Sequence, residues 1–145
     1  MIRNLNQNDF DIWSNLYKSY ADFYKAPMNK EILKNLWAWI HDDMHVVKGI
    51  CFEIDNRIVG IAHYRTMPRP IKGNYIGFLD DLFIDPDFRG KKIAQKLINH
   101  IKSLSKENNW DGIRWITHSS NKNAKKLYDK IANNTGFELY ELKRD

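Results

Sequence analysis

The run Phe78-Leu79-Asp80-Asp81-Leu82-Phe83-Ile84-Asp85-Pro86-Asp87-Phe88-Arg89-Gly90-Lys91-Lys92-Ile93-Ala94 decides the fold. Its first half reads as a strand that stops at Pro86, and its second half is a short basic loop. Beyond the loop, Ala94, Leu97, Ile98, Ile101 and Leu104 recur at helical spacing, which predicts a helix from about Gly90 to Asn108. A loop feeding a helix N-terminus presents unpaired backbone N–H groups and a partial positive charge. Phosphate binds such a terminus readily, and Arg89, Lys91 and Lys92 reinforce it. Gly90 lets the backbone approach a ligand closely, and Ala94 is small enough to do nearly the same. An ordinary basic helix start on a solvated surface has the same composition, so the rest of the chain must give this loop its meaning.

Upstream, Phe10, Trp13, Leu16, Tyr17, Tyr20 and Phe23 stand three or four residues apart. They predict a helix over about 9–25, capped by Asn8 or Asp9 and closed before Pro27. A shorter helix follows Asn29, with Leu33, Leu36, Trp37 and Ile40 on one face. Val46–Ile54 and Arg57–Thr66 are rich in β-branched and aromatic residues and flank Asp55-Asn56, a hairpin signal. Tyr75–Ile84 is the third strand. Downstream of the basic loop and its helix, Gly112–Thr117 reads as a strand, Asn121–Asn133 as a helix and Phe137–Leu142 as a last strand. The order is ααβββαβαβ, an antiparallel meander followed by β-α-β. It predicts an α/β chain with a mixed sheet and helices on both faces.

The 145 residues suit one domain spanning 1–145, and 43% hydrophobic with 28% charged residues exclude a disordered chain. No apolar run reaches membrane-spanning length, and MIRNLNQNDF lacks the apolar stretch of a signal peptide. The single cysteine, Cys51, cannot form an intramolecular disulfide or a multi-thiolate metal site; no metal is expected, and Cys51 reads as an inert buried thiol. A cytoplasmic location follows, with a homodimer as the assembly to test. The net charge of +5 favours anionic partners.

Arg89-Gly90-Lys91-Lys92-Ile93-Ala94 resembles the pyrophosphate-binding loop of the GCN5-related N-acetyltransferases, Gln/Arg-x-x-Gly-x-Gly/Ala. Arg89 fits the first position and Ala94 the last, while Lys92 stands where that family has glycine. Asn121-Lys-Asn-Ala124-Lys-Lys-Leu127-Tyr128 resembles the family's Asn-x-x-Ala-x-x-Leu-Tyr segment, and Gly136-Phe137 its closing Gly-Phe. The longer connection Ile131–Thr135 is similar to the branch of yeast histone and polyamine acetyltransferases, and Asp80-Asp81 to the acidic strand of diamine acetyltransferases. The resemblance implies an acyl-CoA N-acyltransferase fold over nearly the whole chain. It further implies acetyl transfer from acetyl-coenzyme A to a primary amine, of a polyamine-like small molecule or of a peptide or protein, by direct attack in a ternary complex.

A lysine-like amine with a pKa near ~10.4 is neutral in about one molecule in ~10³ at pH 7, so leaving the proton in place raises the barrier by roughly 4–5 kcal/mol. A positioned base removes that obstacle, and a proton donor assists the departing thiolate. By the resemblance, Tyr128 is the general acid, and Asp81 holds the cationic amine or relays its proton, with His118 as an alternative base. Adjacent strand residues point to opposite faces, so Asp80 and Asp81 share a cleft only if a bulge intervenes. Leu82, Phe83 and Ile84 offer backbone groups to the pantetheine arm. Arg89, Gly90, Lys91, Lys92, Ile93 and Ala94 hold the phosphates, with Asn121, Ala124 and Tyr128 completing the cofactor contacts. The acceptor pocket is expected between the first two helices and the hairpin, lined by Tyr20, Phe23, Tyr24, Trp39 and Tyr64 together with Asp80 and Asp81.

Two other readings fit parts of the sequence. Lys92 in place of glycine suits a catalytically weak acetyl-CoA sensor. Lys91, Lys92, Lys122, Lys125 and Lys126 suit a basic nucleic-acid-binding module, although coenzyme phosphates account for them more economically and no nucleic-acid motif accompanies them.

Overall fold

A computed structural model describes residues 1–145. It opens with a strand that the sequence pattern hides, β1 (Ile2–Asn4). Two helices follow, α1 (Phe10–Phe23) and α2 (Lys30–Ile40). Asn29 starts α2 in an extended conformation, its side chain accepting the Ile32 N–H at 2.9 Å. Asp9, expected to cap α1, makes no cap bond; it takes the Asn6 N–H at 2.6 Å and the Arg3 guanidinium at 2.7 Å. Arg3 also reaches Glu53, so β1 is clamped at both ends of its side chain's reach.

Asp55 and Asn56 both take positive φ, 49° and 61°, and turn β2 (Val47–Ile54) back onto β3 (Arg57–Arg69). Two residues of that type in the left-handed region give the turn whose twist matches a hairpin. Strand β3 runs past the expected Thr66 through Pro68. This is tolerated because β2 ends opposite Arg65, leaving that edge of Pro68 without a neighbour. Strand β4 (Asn74–Ile84) pairs antiparallel with β3, then α3 (Ile93–Ser103), β5 (Trp110–Trp115) and α4 (Lys122–Ile131) complete the chain. The sheet order is β1-β2-β3-β4-β5, antiparallel except for the parallel β4–β5 pair.

The sheet separates two cores. Trp13, Leu16, Leu33 and Leu36 from α1 and α2 pack on one face with Cys51, Ile61 and Phe83. Ile93, Leu97, Ile98 and Ile101 from α3 pack on the other with Val59, Tyr64, Leu79 and Trp110, and α4 adds Tyr128 and Ile131. Cys51 is fully buried, and burial pushes its thiol up to about 11, in keeping with an inert group. No helix is long and apolar enough to cross a membrane.

The expected last strand, Phe137–Leu142, does not form; the fifth strand of the sheet is β1 at the opposite end. Local side chains capture its backbone: Asn134 Oδ1 accepts the Gly136 N–H at 2.9 Å and Thr135 Oγ1 the Phe137 N–H at 3.3 Å. Phe137, Leu139, Tyr140 and Leu142 remain at least three-quarters exposed. Their apolar positions fall on both faces of an extended chain, so no single face drives docking onto the sheet.

Candidate active site

Two irregularities in β4 build the site. Parallel pairing with β5 stops at Leu79 opposite Trp115, while β4 continues to Ile84. The edge of Asp80–Ile84 facing away from β3 therefore has no strand beside it, because β5 ends at Trp115. On the other edge, the register with β3 shifts: His63 faces Asp81, but Tyr64 faces Leu79. Asp80 is the extra residue, a β-bulge that turns two adjacent carboxylates into one cleft. That cleft, about 530 Å³, is lined by both aspartates together with Tyr17, Trp39, His63 and Arg65.

The two carboxylates differ electrostatically. Burial alone would raise Asp81, but hydrogen bonds from His63, Tyr17 and Tyr20 outweigh it and hold the carboxyl below its ordinary value. The shortest are His63 Nδ1 at 2.8 Å and the Tyr17 hydroxyl at 3.0 Å, both on Oδ2. Asp80 goes the other way: burial raises it, and Arg65, whose Nε lies 3.1 Å and 3.2 Å from its two oxygens, offsets that only in part. Burial also raises the hydroxyls of Tyr17 and Tyr20, keeping both protonated donors at neutral pH.

An aromatic row on α1 leads away from this pair. Trp13, Tyr17, Tyr20 and Tyr24 follow one another at centroid distances of 5.7, 5.5 and 4.8 Å, and Tyr20 sets its edge on Phe83 of β4. Tyr128 of α4 packs against Trp115 at 5.3 Å, and burial, with the nearby Tyr24, raises its hydroxyl, which therefore retains its proton at neutral pH.

The basic loop carries backbone donors. Gly90 has φ +81°, and Lys92, the residue before α3, has φ 60° and ψ 23°. Lys92 thus keeps the left-handed conformation for which glycine is better suited. None of the backbone N–H groups from Gly90 to Gln95 finds an acceptor within the chain. Six consecutive free donors, the helix N-terminus and three basic side chains fit a pyrophosphate. The open β4 edge at Leu82–Ile84 fits the amide-bearing pantetheine arm. The residues present therefore match coenzyme A.

The structure brings together Trp39, Asp80 and Asp81 of the expected acceptor residues, but not Tyr64. Strand alternation sends Tyr64 to the opposite face, where it packs at right angles against Trp110 in the α3-side core. Tyr20 and Tyr24 lie along α1 outside the cleft lining, toward Phe83, and Phe23 is exposed. His118 sits in the exposed loop after β5, its Nδ1 2.7 Å from the Ser120 hydroxyl and accepting the Ser120 N–H at 3.1 Å. It does not line the cleft. Asn121 makes no cap bond; its amide donates to Thr117 Oγ1 at 3.3 Å. Sequence reasoning missed Tyr17, His63 and Arg65. His63 and Arg65 alternate with the core residue Tyr64, which is the signal that places them on the cleft side.

Comparison with known proteins agrees with this architecture. The chain is 25% identical over 143 residues to the D-amino-acid N-acetyltransferase HPA3 of Saccharomyces cerevisiae, covering 97% of this chain and 89% of the relative. Its fold matches the ribosomal-protein-alanine N-acetyltransferase of Brucella melitensis biovar Abortus with TM-score 0.82, at 23% identity over 100% of this chain and 99% of the other. It also matches the aminoglycoside N-acetyltransferase AAC(6')-Iy in complex with CoA, with TM-score 0.83, at 17% identity over 100% and 95% of the two chains. The model of the acetyltransferase (GNAT) family matches residues 13–132, and the chain belongs to that family of acetyl-CoA-dependent acetyltransferases.

Proposed function

We propose that the protein acetylates a small primary amine whose ammonium is held between Asp80 and Asp81 in the cleft beneath Trp39. The observation that carries this reading is the bulge at Asp80, which sets both carboxylates in one cleft with Tyr17, Trp39 and His63. Carboxylates at that point would repel coenzyme phosphates, so their use lies with the acceptor. Arg89 to Ala94 hold the pyrophosphate, Leu82–Ile84 the pantetheine amides, and Asn121 and Ala124 complete the cofactor contacts. When bound, acetyl-CoA supplies an acetyl group activated as a thioester.

The chain's own groups divide the remaining work. Asp81, fixed by His63 and Tyr17, orients the ammonium. Asp80, with its raised carboxyl, is the better proton acceptor of the two, because its affinity lies closer to that of an amine. The face of Trp39, stacked on His45 at 4.9 Å, supports the cation at about 0.5–2 kcal/mol. Tyr128 holds a proton on its hydroxyl as the general acid. Its position beside Trp115, at the end of β5, supports that role.

A thiol-release assay over a panel of primary amines tests the reading. Wild type should release thiol with at least one amine, and Tyr128→Phe should turn over about 10²–10⁴-fold more slowly with an unchanged dissociation constant for acetyl-CoA. A Tyr128→Phe variant at full rate on the best amine removes Tyr128 from the chemistry; silence across the panel overturns the proposed function.

A further inference from the structure

Arg65 is the only lysine or arginine lining the acceptor cleft. Its Nε alone is used, shared between the two oxygens of Asp80, while Nη1 and Nη2 make no hydrogen bond within the chain. The guanidinium lies over the Phe78 ring, 5.0 Å from its centre, a cation–π contact that leaves the fork free. Arginine carries five N–H donors, so four remain on the fork. A cleft built for an ammonium alone would gain nothing from a cation there, since Arg65 weakens the negative potential of the two aspartates. A lysine would suffice to neutralise Asp80. The free fork instead matches the paired oxygens of a carboxylate or phosphate.

We infer that Arg65 is a second recognition point, and that the acceptor carries an oxyanion, carboxylate or phosphate, alongside its amine. The amine lies toward Asp81 and the oxyanion on Nη1 and Nη2 of Arg65. The inference rests on the proposed acceptor cleft and narrows its substrate class. His63, which orients Asp81, and Arg65 are two residues apart on β3, about 7 Å along the strand. That separation suits the two charged ends of a compact amino acid or amino phosphate. A diamine of similar size would place its second ammonium near the guanidinium, so the same residue that accepts one class rejects the other.

The test compares four acceptor types in the thiol-release assay: amino acids, O-phosphoethanolamine, amino-acid amides and 1,4-diaminobutane. Amino acids or O-phosphoethanolamine should exceed the amides and the diamine by at least about tenfold in kcat/KM, and the better of the two identifies the oxyanion. Arg65→Gln should reduce that advantage by about 10- to 100-fold while leaving the KM for acetyl-CoA unchanged. Arg65→Lys should restore only part of it, because the charge returns without the fork. Amides or diamines used as well as zwitterions, or a preference that survives Arg65→Gln, overturn the inference and leave amine acetylation standing. If no amine reacts, the proposed function falls, and calorimetry with the same compounds decides the inference. Oxyanion-bearing compounds binding wild type but not Arg65→Gln support it, and equal or absent binding ends it.

Discussion

His63 Nδ1 lies 2.8 Å from Asp81 Oδ2, and its other ring nitrogen accepts the Trp13 indole N–H at 2.9 Å. An indole nitrogen can only donate. The His63 Nε2 therefore carries a lone pair, the ring proton sits on Nδ1, and Nδ1 donates to the carboxylate. A core tryptophan on α1 thus fixes which way the Asp81 carboxylate in the cleft is held. Nitrogen NMR of the imidazole at neutral pH should show the Nδ1-protonated tautomer; an Nε2-protonated ring would break the chain from Trp13 to Asp81.

Asp80 and Asp81 should respond oppositely to loss of charge. Asp81 is depressed in the fold, so it contributes stability above its unfolded value near ~3.9, and that contribution is lost as pH falls through the folded value. Asp80 is raised, so its ionisation opposes folding from about pH 4 upward, once the unfolded carboxyl has ionised. Thermal unfolding at pH 7 should therefore show Asp81→Asn below wild type and Asp80→Asn at or above it. The Asp81→Asn deficit should shrink on acidification below pH ~4. Equal losses from both substitutions would contradict the difference in their environments.

Lys92 holds a left-handed backbone conformation that costs a non-glycine residue about 1–2 kcal/mol. Lys92→Gly should remove that strain, raising stability in denaturant by about 1 kcal/mol, less the extra freedom glycine gains when unfolded. Coenzyme A affinity should fall only modestly, since the backbone donors from Gly90 to Gln95 keep their positions. A destabilised Lys92→Gly variant would mean that the lysine side chain stabilises the loop.

Much of the fold was legible because the chain's local signals agree with its packing. Asp55-Asn56 turn where their type demands, Asn29 caps its helix, and the strand, basic loop and helix from Phe78 onward form in order. The three-residue β1 escaped notice because its pairing with β2 and the Arg3 ties to Asp9 and Glu53 are long-range. The segment 137–142 erred the other way: strand-like residues form no strand when their apolar positions fall on both faces and a local turn at Asn134–Phe137 takes the leading N–H groups.

The site was legible in its residue types and less so in its geometry. Asp80, Asp81 and Trp39 line one cleft, but whether two adjacent aspartates share a face depends on a bulge, which only the register of β3 against β4 reveals. The same register brings His63 opposite Asp81 and turns Tyr64 into the core. His118 is held by Ser120, a contact two residues away that its position at a strand end did not disclose.

The account rests on Asp81 as the group that holds the acceptor's ammonium, and steady-state kinetics of Asp81→Asn test it most directly. The predicted result is a KM for the best amine raised at least about tenfold, with the KM for acetyl-CoA unchanged, as expected for loss of a charge-assisted hydrogen bond. Asp80→Asn should lower kcat as well, because it removes the proposed proton acceptor. Amine kinetics left intact in both variants would contradict the account.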